Sequence, residues 1–373
     1  MTEQMKLQTK WTFVEVPKIN FVKFLISLVP ILLLGAGCVS TTTTEDSTKN
    51  RDETVTTTFT ELTDTFSVNG APMWLFVIDD GEADPALSTE RDGSIYMGRL
   101  NLENPRSEIT WKRVVSSSDI GGSRVADHWH IFTNDYHWIA FSVQEANASY
   151  LLKLDTNFER VSLTNITRNS SIPTNDLFLV DEADGVTVGH FRPDYGHRLF
   201  RMNLNGTLKE TIDIGGGSTR HGNGSSAYRT ENGFSVIAGK TLNYLEQSPL
   251  YKLDYDNDWK FVKQTMLVDD DETNVSMTSA VELPDGSLIV TTRVTESYPR
   301  GALPPPKNPG EPLSDDGGSI VRFVFDANGN ELSREVLQEA TTEHRPHMTL
   351  IGDLLITTWD GSGGARLRID RIQ

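Results

Sequence analysis

Five of the eight histidines in this 373-residue chain crowd into short polar segments that each precede an apolar, strand-like run. His128 and His130 lie in GGSRVADHWH, His221 in GGGSTRHGNG, and His344 and His347 in TEHRPHMT. Two further segments, TRNSSIPTND and DDDETNVSMT, occupy equivalent places, and four of the five carry an arginine: Arg124, Arg168, Arg220 and Arg345. Arginine offers a planar fork of donors that matches carboxylates and sulfates. Together with Asp127, His128, His221 and Asn223, these arginines would make a ligand site for an anionic group. Imidazole suggests a second chemistry. His128, His221, His344 and His347 could hold a divalent metal such as zinc, manganese or calcium and leave a position open, or a neutral ring could act as a base near pH 7. Asp127 would then orient a ligating ring. A third reading needs no ligand: the arginines pair with Asp119, Asp127, Asp176, Asp269 to Asp271 and Glu343 and serve loop structure alone.

No short-range metal motif is present, so either chemistry requires side chains from distant segments to meet. Local geometry already constrains one of them. In DHWHIF, residues 127 to 132, strand alternation puts His128 and His130 on one face and Trp129 on the other. Both imidazoles then point into the same gap, with His128 nearer the opening and His130 deeper.

What could bring the segments together is a repeat. The stretches SIYMGRLN, SYLLKLD, HRLFRMN, SPLYKLD, GSIVRFVFD and ARLRID align on Arg99, Lys153, Arg201, Lys252, Arg322 and Arg368, at spacings of 54, 48, 51, 70 and 46 residues. Around each copy the order is the same: an apolar strand, a tight turn, a second strand, the motif strand, then an outer strand. Asn134-Asp135, Pro284-Asp285-Gly286 and Asn328-Gly329 supply turn chemistry. No segment keeps a helical period over three turns. The sequence therefore predicts an all-β fold, a six-bladed β-propeller over residues 59–373. The sixth unit ends at Gln373 without its outer strand. The threonine-rich stretch from Val55 to Leu62 is suited to supply it, closing the ring with an N-terminal strand and removing an open edge.

Function in such a ring gathers where the connections enter the innermost strands. One insertion, PRGALPPPKNPGEPLSDDGG at residues 299–318, holds six prolines and reads as a stiff arm at the same face. It would rim a ligand site or dock a partner, or be a tolerated surface insertion. Gly215-Gly216-Gly217 reads as a turn between blades, since no helix follows it to cradle a phosphate.

The first 38 residues carry Lys6, Lys10, Lys18 and Lys23, an apolar run from Phe24 to Leu34, and then Gly35-Ala36-Gly37-Cys38. This is a secretory signal, too short in its apolar part to span a bilayer. Cys38 is the chain's one cysteine, and the segment resembles the lipobox of prokaryotic lipoproteins, departing from it at Gly35, where a larger aliphatic residue is usual. The resemblance implies lipidation of Cys38 and an extracytoplasmic, membrane-anchored protein. With no second cysteine there is no internal disulfide, so stability must come from burial. Residues 39–58 are nearly free of apolar side chains and read as a disordered, threonine-rich tether. Removing residues 1–38 leaves 30 basic and 50 acidic side chains, a formal charge of −20, which disfavours nucleic acid and anionic lipid surfaces as partners. Six N-x-S/T sequons, among them Asn147, Asn165 and Asn223, read first as polar turns.

The stretch ADHWHIFTNDYHWIAFS also resembles the first-strand repeat of some carbohydrate-active propellers, with Trp129 where asparagine commonly follows the histidine. The resemblance implies a substrate-side place for Asp127 and His128. Two functional readings follow: a membrane-anchored propeller binding an anionic ligand, a glycan or a protein partner, at its channel mouth, or a histidine- or metal-dependent lyase or hydrolase acting on anionic polysaccharide.

Overall fold

The structure, a computed structural model, describes residues 57–143, 148–167, 177–192, 196–215, 225–239, 249–268, 273–296, 318–341, 344–361 and 363–373. Its strands form six antiparallel sheets, five of them running in simple chain order and the last taking strands from the N-terminal side of the domain. All six aligned motifs become third strands: Ser94–Arg99, Ala148–Leu154, Gly196–Asn203, Leu250–Tyr255, Gly318–Phe325 and Gly364–Ile372. The first strands, Met73–Ile78, Val125–Thr133, Leu177–Glu182, Ser226–Thr230, Thr273–Glu282 and His344–Ile351, touch one another in sequence and the last returns to the first. This is a six-bladed β-propeller, all-β among the described residues apart from one short 3-10 turn at Ser117–Ile120.

Alternation explains why the sheets stack. Leu75 and Val77 face the cluster shared with blade six, while Phe76 and Ile78 face the cluster shared with blade two. Leu177 and Leu179 likewise pack toward blade two, and Phe178 and Val180 toward blade four. The inner strands thus pack against a neighbouring blade on each face, and the core is divided into six clusters, one at each seam between blades.

The turns follow their residue chemistry. Asn134 and Asp135 both have positive φ, 52° and 61°, as a two-residue hairpin turn with the strands' own twist requires. Between third and fourth strands an aspartate recurs: Asp155, Asp256 and Asp326 each accept backbone N–H groups two and four residues on, which closes the turn.

The ring closes as the sequence reading expected. Phe59–Glu61 pairs with Gly364–Ile372 as the outer strand of blade six, and Thr58 and Gln373 exchange backbone hydrogen bonds beyond it. The seam between blades five and six has the smallest apolar cluster, and ion pairs reinforce it. Arg322, from blade five, lies 2.8 Å from Asp370 of blade six, with both side chains at most 1% exposed. Arg368 also binds Asp370, and the Phe59 ring lies 3.8 Å from the Arg322 guanidinium. Removing one partner of such a pair strands a buried charge. Asp370→Asn is therefore expected to lower stability by about 3–5 kcal/mol in urea denaturation. Glu335→Gln, at the half-exposed end of the same network, costs less than about 1 kcal/mol.

Candidate functional site

At the end of the axis where the inner strands begin, a recess is lined by Trp74 and Phe76 of blade one, Asp127, His128 and Trp129 of blade two, Met277 and Thr278 of blade five, and Arg345 and His347 of blade six. Its volume is about 50 Å³, room for roughly three or four waters. A space of that size matches a carboxylate or one edge of a sugar ring. Trp129 forms its floor, packing against the clusters of three successive seams. The Phe76 ring stands beside it, 5.5 Å away between centroids.

Three of the lining residues have left-handed backbone: Trp74 at φ 49°, Met277 at 55° and Arg345 at 57°. Each sits in a register shift of its inner strand, between Met73 and Phe76, Ser276 and Thr278, and His344 and His347. A bulge there turns a side chain toward the axis that regular alternation would send into a seam. Such conformations cost about 1–3 kcal/mol each for residues with a Cβ, and they concentrate at functional sites. Three at one opening mark it as built.

The electrostatics centre on Asp360, near the end of the second strand of blade six. It is half-buried and accepts a hydrogen bond from the Trp74 backbone, and its carboxyl is pushed up to about 7, chiefly by burial and further by Asp127 and Glu90. Arg345 opposes this rise. Its guanidinium lies 4.3 Å from the centre of the Trp74 ring and forms no ion pair among the described residues. Glu90 is also raised, by burial first, while Arg124 acts against the shift.

Among the described residues, His128, His130, His137 and His190 are buried, His347 is half-buried, and all five are held neutral. His128, His190 and His347 are pushed down to about 3 and His137 to about 4, with burial the largest cause, and His130 falls well below its ordinary value. This corrects one expectation: rings so depressed are poor bases at pH 7, because the proton they would accept is not held. The metal reading gains no support either. Among the described residues, no three His, Cys, Asp or Glu side chains are placed to hold an ion. His128 and His347 do converge, both packing on Phe76 at 4.8 and 4.4 Å, but His128 is tied to Ser88.

Of the residues picked out in the sequence, Asp127, His128, Arg345 and His347 line the recess. His130 packs deeper in the same seam, as alternation implied. Asp127 accepts from the Leu177 backbone and so joins blades two and three. Arg124 is exposed, away from the recess, lying over Gly93 beside Glu90. Arg168, Arg220, His221, Asn223, the side chain of His344 and the proline-rich arm fall outside the described residues. Sequence reasoning missed Trp74, Phe76, Met277, Glu90 and Asp360. The one available signal was TTWDG, where the second strand of the last unit ends on an acid.

No family model matches the chain, and no curated protein matches it in sequence. In fold it is similar to a protein of unknown function from Dyadobacter fermentans, at 10% identity and a TM-score of 0.58, covering 84% of this chain and 99% of that one. A DUF4221 family member from Bacteroides vulgatus gives 10% and 0.53, covering 85% of this chain and 99% of that one. A subtype N10 neuraminidase-like protein of A/little yellow-shouldered bat/Guatemala gives 10% and 0.50, covering 85% and 98%. These likenesses show the propeller and nothing finer.

The buried histidines set the acid limit of the fold. In the unfolded chain they take up protons near 6.5, and in the folded chain only near 3 to 4, so their contribution is whole above 6.5 and is lost as pH falls below it. Asp360, raised when folded, acts in the opposite sense between 3.8 and 7. Asp360 and Glu90 oppose five depressed imidazoles, so the net effect is a loss of stability as pH falls from 6 to 4. The propeller is expected to unfold cooperatively within that window in an acid titration followed by circular dichroism, while remaining folded at pH 7.

Proposed function

We propose that the chain is a lipid-anchored, extracytoplasmic propeller whose axial recess takes the acidic end of a glycan, a uronate or a sulfated sugar. The observation that carries the reading is Arg345: a guanidinium with no ion pair among the described residues, held in left-handed backbone at the opening of a recess walled by tryptophans. Trp74 and Trp129 supply aromatic faces for a sugar ring, Arg345 its donor fork for the acid, and Asp127 an acceptor for hydroxyls. Arg345→Ala should weaken binding of uronate oligosaccharides by tenfold or more, and Arg345→Lys should restore only part, since an ammonium lacks the fork.

Asp360 sets the pH dependence of this reading. Below about 7 it is neutral and Arg345 is available to the ligand; above 7 it ionises and competes for the same guanidinium. Affinity measured by calorimetry should fall between pH 6 and pH 8, and Asp360→Asn should abolish that fall.

A second reading is favoured by the same carboxyl. A protonated acid at neutral pH facing the carboxylate of Asp127 is an acid–base pair of the kind that cleaves glycosidic bonds. New reducing ends released at pH 6 by the native protein and not by Asp360→Asn would move the assignment from binding to hydrolysis.

The address is tested separately. Cys38→Ser is expected to shift the protein from the membrane fraction to the soluble one and to abolish incorporation of labelled fatty acid.

A further inference from the structure

A chain of buried polar groups runs away from the recess along the seam between blades one and two. His128 Nε2 lies 3.1 Å from Ser88 Oγ, which lies 3.0 Å from His130 Nδ1. His130 Nε2 lies 3.1 Å from His137 Nδ1, and His137 Nε2 lies 3.3 Å from Asp80 Oδ2. The three rings and Ser88 are at most 1% exposed. At the far end Arg99 holds both oxygens of Asp80, at 3.0 and 2.8 Å. The His137 to Asp80 approach, at 3.3 Å, is a looser contact than a well-formed hydrogen bond, yet among the described residues His137 Nε2 has no other hydrogen-bond partner. At the near end His128 Nδ1 is also buried without a partner, in a ring that lines the recess.

A neutral imidazole donates from one nitrogen and accepts at the other, so this chain has two self-consistent polarities. In one, every ring carries its proton on Nε2: His137 donates to Asp80, His130 to His137, Ser88 to His130, and His128 to Ser88. In the other, every ring carries it on Nδ1, and His137 then turns a bare Nε2 lone pair toward a carboxylate that is gripped by Arg99 and accepts only. Two acceptors in buried contact lose the hydrogen bond and repel. The carboxylate selects the first polarity, and the choice is transmitted ring by ring to the opening.

We propose that Asp80 fixes His128 in its Nε2–H form through His137, His130 and Ser88, so that the recess presents the bare Nδ1 of His128 as a hydrogen-bond acceptor for an O–H or N–H donor of the ligand. Asp80 and Ser88 act as positioning residues, and His128 as the contact. The donor's class rests on the recess being the ligand site; the polarity does not. It also complements Arg345: one side of the opening takes an acid group, the other a hydroxyl, as an acidic sugar would supply.

Nitrogen-15 NMR of histidine-labelled native protein without ligand tests the polarity at pH 7.5, with ring signals assigned from His→Gln variants. His128, His130 and His137 should each show a protonated Nε2 and a bare Nδ1. In Ser88→Ala, His130 and His137 should keep this pattern while the two His128 nitrogens move toward a common, tautomer-averaged position. Asp80→Asn, whose amide also donates, should release all three rings from it. A native His128 protonated on Nδ1 would overturn the proposal, as would unmoved His128 signals in a folded Ser88→Ala protein. The expected tautomers in a protein that binds no acidic sugar would defeat the glycan reading alone.

Discussion

An inner strand of this ring has no face to spare. Its odd residues belong to one seam and its even residues to the next, so Leu75 and Phe76, adjacent in sequence, stabilise different pairs of blades. Trp74, Met277 and Arg345 reach the recess by leaving this alternation. The protein does so with bulges, and the left-handed backbone at Trp74, Met277 and Arg345 is the cost. The recess therefore depends on the seams: tight packing on both sides holds those three residues where isolated strands would not keep them.

That dependence explains what was legible in the sequence. The six third strands were readable because the turns flanking them use aspartate, asparagine and glycine at fixed offsets and because a basic residue recurs in each. The closing strand was readable as a missing partner, and Phe59–Glu61 fills the place. Asp127, His128 and Arg345 were found because they lie where connections meet inner strands. Trp74, Met277 and Asp360 were not, because their position depends on where a strand bulges and on a second strand of another blade reaching the mouth. The local sign reversal anticipated there is also less simple: Arg124 faces Glu90, and Arg345 shares its surroundings with Asp360 and Asp127.

Burial that makes the histidines unsuitable as bases makes them well suited as fixed dipoles. In water, each ring would exchange tautomers freely. Enclosed in the seam and wired in series, the rings have only the polarity that their terminal charge permits. The same low dielectric that pushes their proton affinity down makes the wrong polarity expensive, so desolvation and ordering are one effect seen from two sides.

The two ends of the opening are thereby set by different means. At Arg345 the property on offer is charge, modulated by a neighbouring carboxyl whose ionisation lies near neutrality. At His128 it is direction, set by a carboxylate three side chains away that never reaches the ligand. A ligand bearing an acid on one edge and hydroxyls on the next satisfies both, whereas a simple inorganic anion satisfies only the first. Selectivity at this mouth would then come less from the strength of the arginine contact than from the bare imidazole nitrogen, which a ligand lacking a donor leaves buried and unpaired.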